Sequence, residues 1–140
     1  MKLLPNKKAS LLLAGLFLTG SIFGFMVKLP SAFRHFDKEL HSLFYFFAAA
    51  FLNLLFAKNK FTRHIFIFAF LYLLGMSIEY AQEYSNQFFR KRIHGRYDKE
   101  DVLSNLKGLI AFSVLWIIYV GVASFIKRPA MHKKADNSEL

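Results

Sequence analysis

The chain has 140 residues, 55% hydrophobic and 20% charged, with 18 phenylalanines and a formal net charge of +10. That is too apolar for an ordinary water-soluble domain of this size, and the length suits one domain. No cysteine is present, which excludes disulfides, zinc-thiolate sites and thiol nucleophiles.

The basic residues stand at the ends of apolar runs, as in "MKLLPNKK", "AKNKFTR", "FFRKRIHGR" and "IKRPAMHKK". This is the pattern of membrane flanks, not of a stripe that tracks nucleic acid, so no nucleic-acid partner is expected. Crossing the hydrocarbon takes roughly 20 helical residues. Residues 9–27 form a first uncharged run of 19. Lys2, Lys7 and Lys8 precede it as in a signal peptide, but it is long for one. "KLPSAF" offers no small-x-small cleavage site, so an uncleaved helix is expected. Gly20 and Gly24 suggest a close helix contact on it, and Pro30 breaks the chain after it.

The next two runs are short. Residues 43–57 give 15 positions without a charge or histidine, and residues 65–78 give 14. They reach spanning length only as 37–57 and 65–84, by drawing in Asp37, Lys38, Glu39 and His41, or Glu79, Gln82 and Glu83. Such residues are costly at the edge of the apolar layer unless they face protein, water or ligand. Residues 58–64 are expected as the turn of an antiparallel hairpin, and 85–100 as the longest loop. A fourth span covers 102–126, and a polar, disordered tail follows from Lys127.

The expected fold is an all-α, four-span helix bundle. Its termini share one side, the cytoplasmic one by a count of ten Lys and Arg against eight. Four crossings place the start of span two, the end of span three and the start of span four on one face. Spacing aligns residues there into stripes: Asp37, His41 and Tyr45; Glu79, Gln82, Glu83 and Asn86; Asp101, Asn105 and Gly108. Plainer roles exist for each. Asp37 can cap its helix, Glu79 can pair with Lys38 or Arg96, and Asp101 and Asn105 can merely begin a helix. Tyr45, Tyr80 and Tyr84 can form an interfacial belt. In the loop "NQFFRKRIHGRYDKE", Arg90, Lys91 and Arg92 suit anionic headgroups, and Arg96 suits a bidentate grip on phosphate or carboxylate.

The order Asp37-Lys38-x-x-His41-x-x-x-Tyr45, Glu79-x-x-Gln82, Gly95-Arg96, Asp101-x-x-x-Asn105-x-x-Gly108 resembles the VanZ-like family. That family is named for a bacterial membrane protein linked to teicoplanin resistance. The resemblance covers residues 37–108 and implies a site of Asp, His, Glu, Gln, Arg, Asp and Asn in a multi-pass bacterial cell-membrane protein. It does not supply a reaction. Arg96 and Asp101 stand one residue closer than the family pattern, which leaves Arg92 as an alternative, and Lys107 interrupts the start of span four.

As an enzyme on an anionic envelope lipid or cell-wall precursor, the protein would use His41 as proton donor or acceptor. Asp37, Glu79 and Asp101 would then accompany His41 as catalytic residues. Arg96, Gln82, Asn105 and Tyr45 would bind the substrate. The same carboxylates with His41 offer oxygen and imidazole ligands to a divalent cation, but no spacing is diagnostic of a metal and no cofactor is implied. The alternatives are a lipid binder without turnover, and an accessory subunit that pairs with itself or with a partner's helices.

Overall fold

In a computed structural model, residues 5–26, 36–89 and 96–136 are described, with side chains through residue 126. The described chain is all-helical: α1 (Lys7–Met26), α2 (Asp37–Leu52, continued by a π-helical turn Asn53–Ala57), α3 (Phe61–Ser85) and α4 (Lys99–Asp136). Four helices are long and apolar enough to cross a membrane: Lys7–Met26, Asp37–Ala57, Phe61–Phe88 and Lys99–Ile126. Pro30 and the basic stretch Arg90, Lys91, Arg92 and Gly95 lie outside the described residues.

Helix α1 starts where the Asn6 side chain accepts the amide of Ala9 at 2.9 Å, an N-cap bond. Helix α2 has no such cap. Phe36 is its N-cap residue and makes no side-chain bond, so Asp37 stands in the first turn as a helical residue and does not cap. Its charge still suits the helix N-terminus. The turn between α2 and α3 is shorter than the 58–64 expected. Lys58 and Asn59 take left-handed backbone angles, φ 47° and 60°, and the amide of Lys60 returns to the carbonyl of Ala57 at 2.9 Å. Helix α3 therefore begins at Phe61 and carries Arg63 and His64 in its first turns. Helices outrun the apolar layer, so a polarity change does not mark their ends. At the other end of the chain, the helical backbone of α4 continues through Pro129 to Asp136, past the boundary at 126 where a tail was expected.

The α2–α4 pair forms the centre. Tyr45, Ala48, Ala49, Leu52, Leu71, Leu109 and Ala14 are its buried apolar cluster. The approach is tightest at Gly108, where a Cβ would collide with the carbonyl oxygen of Ser42. Ser42 Oγ also donates to the carbonyl of Ser104 at 2.7 Å. Small residues let two backbones come this close, as in membrane helix pairs generally. Outward, large apolar side chains such as Leu12, Phe23, Phe66, Leu73, Tyr119 and Phe125 are mostly exposed. Water would penalise that surface, whereas lipid solvates it.

Helix α1 is attached more loosely. Phe17 stacks on Phe44 with ring centres 5.7 Å apart and tilts against Phe51 at 4.9 Å, and Phe25 meets Phe44 edge-on at 4.8 Å. Gly20 and Gly24 do not make the helix contact their spacing suggests. A Cβ at either position would meet nothing within 4 Å. They border a cavity instead.

Candidate functional site

The starts of α2 and α4 and the end of α3 meet at one end of the bundle, as the four-span plan requires. Asp37, Glu39, Glu79, Glu83, Asp98, Glu100 and Asp101 are seven of the chain's nine acidic residues, and all belong to these helix ends. His41 is the junction. Its Nδ1 lies 2.8 Å from Asn105 Oδ1, in a buried bond from α2 to α4. An amide oxygen only accepts, so Nδ1–H donates to it, and in the neutral ring Nε2 keeps its lone pair. Nε2 faces Asp37 Oδ1 at 3.8 Å, and Phe25 covers the ring at a centroid distance of 4.8 Å.

Helix α4 begins differently from the sequence expectation. Asp98, not Asp101, caps it: Asp98 Oδ1 accepts the amide of Glu100 at 2.8 Å. Asp101 is thereby turned inward, only 8% exposed. Its Oδ1 is buried without a hydrogen-bond partner. The ligand atoms of Asp37, His41 and Asp101 all lie within 4.8 Å of one another.

Glu79 is 1% exposed, and its Oε2 accepts the amide of Asp98 at 3.2 Å. One turn on, Glu83 Oε2 accepts the amide of Tyr97 at 3.2 Å. The α3 carboxylates thus bind the backbone that leads into α4 and position Asp98 and Asp101. Neither Lys38 nor Arg96 is needed to explain Glu79. Lys38 pairs with Glu100 across the α2 and α4 starts, at an exposed place where such a pair contributes little. Gln82 donates from Nε2 to the carbonyl of Phe25 at 2.6 Å, which ties α3 to the end of α1. Tyr80 stacks on Tyr97 at 4.9 Å.

A cavity of ≈ 1140 Å³ opens between these ends and α1. One part is polar, with Asp37, Lys38, His41, Gln82, Arg96, Asp98 and Asp101 on its wall. The other part is mostly apolar, lined by Leu16, Phe17, Gly20, Ser21, Gly24 and Phe25 of α1 and by Leu40 and Phe44 of α2. Of the eight site residues expected from the sequence, Asp37, His41, Gln82, Arg96 and Asp101 line the cavity. Tyr45, Glu79 and Asn105 stand behind its wall. Tyr45 Oη and Asn105 Nδ2 converge at Gly75, 2.8 and 2.9 Å from where a Cβ would be. Asn105 fixes His41 from behind, and neither residue lines the cavity. Arg96 is exposed at the rim.

A second buried polar cluster lies at the opposite end, where only basic flanks were expected. His64 Nδ1 is 2.9 Å from Asn53 Oδ1, and its Nε2 is 3.1 Å from Ser113 Oγ. Its ring stacks on Trp116 at 4.2 Å. Asn53 Nδ2 donates to the carbonyl of Ala49 at 2.8 Å, next to the π-helical turn. A separate cavity of ≈ 720 Å³ adjoins Asn53 and Trp116. Its sequence signal was available: Asn53 is the one strongly polar residue in the 43–57 run.

No family model matches the chain, and no curated protein or solved structure matches it, so the likeness to the VanZ-like family rests on the order of its site residues and its four-span plan.

Proposed function

We propose that this protein is a VanZ-like membrane protein that holds an anionic envelope lipid or lipid-linked cell-wall precursor in the cavity beside α1. The carrying observation is the cavity's two-part wall: a polar end at Asp37, His41, Gln82, Arg96 and Asp101, continuous with an apolar trough along Leu16, Phe17, Gly20 and Gly24. A headgroup suits the first part and an acyl or prenyl chain the second. Arg96 is the rim cation for phosphate or carboxylate. Without a bound cation, His41 Nε2 is the group that would take a proton from a bound headgroup. The cavity end belongs to the face opposite the termini, which the basic-residue count assigns to the outer side of a bacterial cytoplasmic membrane.

The test is binding by the purified protein in nanodiscs, with phosphatidylglycerol against phosphatidylcholine as guests. Saturable, salt-sensitive binding of the anionic lipid that Arg96→Ala weakens and Gly24→Leu abolishes is the expected result. Equal retention of both lipids by the wild type and by Gly24→Leu would refute the reading. Turnover of a headgroup lost in His41→Ala, with lipid affinity kept, would make the protein an enzyme.

A further inference from the structure

The polar end of the cavity contains a chemical contradiction. It is rich in carboxylates, yet Arg96 and the basic flanks suit an anionic guest. Asp101 is buried with one oxygen unpartnered, although buried polar atoms are almost always satisfied and unpaired buried charge is costly. We infer that Asp37, His41 and Asp101 form a binding site for a divalent first-row transition-metal cation, which neutralises the carboxylates and presents open positions to the cavity.

Geometry supports this at three points. The three ligand atoms already lie within 4.8 Å of one another. Ligands sharing one cation at about 2.1 Å stand roughly 3 to 4 Å apart, so closure takes about an ångström. Asp37, in the first turn of α2 and only partly buried, has the freedom to supply that movement. The bond between His41 Nδ1 and Asn105 Oδ1 favours the tautomer with Nδ1–H, which in the neutral ring leaves Nε2 for a metal. Metal-bound histidines commonly hold their second nitrogen in this way. All three residues also line the cavity, so remaining coordination positions would open onto it. One imidazole nitrogen with two carboxylates suits manganese, iron or zinc better than magnesium or calcium, which prefer oxygen alone. Glu79, which the sequence groups with these ligands, is engaged by the Asp98 amide and is not one of them.

The cation site stands on this geometry. Its further role, bridging the carboxylates to an anionic headgroup, rests on the function proposed above. Manganese(II) is the probe for both. Full-length protein in phosphatidylcholine nanodiscs should bind one manganese per chain, and its electron spin echo should carry nitrogen modulation from one imidazole. His41→Ala should abolish the modulation. Asp101→Asn, nearly isosteric, should weaken binding at least tenfold, and so should Asp37→Asn, which checks the result at a less buried position. Asn105→Ala should weaken it by about 10- to 100-fold through His41. Glu39→Gln should leave it unchanged. Absence of stoichiometric binding, or modulation that survives His41→Ala, would overturn the site. Phosphatidylglycerol binding should then fall at least tenfold after chelation. If the anionic lipid binds equally without manganese, the bridge is overturned and the proposed function stands. If manganese binds and no lipid does, the proposed function fails and the cation site stands.

Discussion

The support behind His41 makes a quantitative prediction at Gly75. A methyl group there would meet Tyr45 Oη at 2.8 Å, Asn105 Nδ2 at 2.9 Å and Tyr45 Cζ at 3.1 Å. All three are tighter than ordinary carbon contacts. Overpacking of this kind costs about 1–3 kcal/mol, while replacing a mid-helix glycine by alanine returns about 1 kcal/mol. Gly75→Ala should therefore lose up to about 2 kcal/mol net. Tyr45→Phe removes the closest of the three atoms, so the same glycine change in that background should be about 1 kcal/mol milder. The assay is a double-mutant cycle by reversible unfolding in mixed micelles, with Gly15→Ala as the unobstructed control, since a Cβ there meets nothing within 4 Å. Agreement of the double mutant with the sum of the singles to within about 0.5 kcal/mol would mean that the hydroxyl is not where the geometry has it. The convergence of Tyr45 and Asn105 behind His41 would then be refuted.

Gly108→Ala should behave differently, because its obstacles are backbone atoms of Ser42 and Phe46. No side-chain change can relieve it, so a loss of at least about 3 kcal/mol is expected, read as failure to purify as a monodisperse species. Asp101→Asn should stabilise the metal-free protein by about 1–3 kcal/mol, because it replaces a buried carboxylate that has one oxygen without a hydrogen-bond partner. Destabilisation in the same micelle assay would show that the carboxylate is structurally paired. His64→Ala leaves Asn53 Oδ1 without its bond to the ring, while Ser113 Oγ keeps its bond to the carbonyl of Leu109, and should cost about 1–3 kcal/mol, with lipid and manganese affinities unchanged; a change in either would couple the two ends of the bundle. The natural absence of cysteine allows a direct topology test. Tyr97→Cys and Asn59→Cys should react with impermeant maleimide from opposite sides of the membrane, and labelling from one side would break the four-span arrangement.

Much of this was legible because apolar run length and parity are strong constraints in a membrane. The count that forced Asp37 and His41 into span two and Glu79 into span three placed them at one bundle end without any contact information. Periodicity of four also put His41 and Asn105 on inward faces, where they bond. What periodicity does not carry is which inward residue lines the cavity and which supports from behind. Tyr45 and His41 share a stripe, yet one turn of depth separates a buried residue behind the wall from one that lines the cavity. The cap of α4 shows a second limit. Asp98 and Asp101 are chemically equal in sequence, and only the chain's path past Glu79 and Glu83 decides that the first caps and the second turns inward. The Asn53–His64 pair escapes sequence reading for a different reason. The charge around His64 suggests a turn, whereas the helix simply starts earlier than the apolar run does.

Glycine serves two opposite purposes in this bundle, and the difference locates the site. At Gly108 and Gly75 the missing side chain brings partners together, so α2, α3 and α4 form a close-packed wall with little freedom to yield. His41, Asn105 and Asp101 project from that wall or stand within it. At Gly20 and Gly24 the missing side chain leaves space, and α1 meets the wall mainly through Phe17, Phe25 and the Gln82 bond. The proposed site, which would fix a few polar atoms while admitting a long apolar chain, needs both conditions, one on each side. The tight side holds His41, Asn105 and Asp101 in place, and the open side sets the width of the trough. Exchanging the two roles by a large residue at Gly24 or a small one at Phe25 should therefore alter guest size first and cation affinity least, whereas changes at Gly75 should do the reverse.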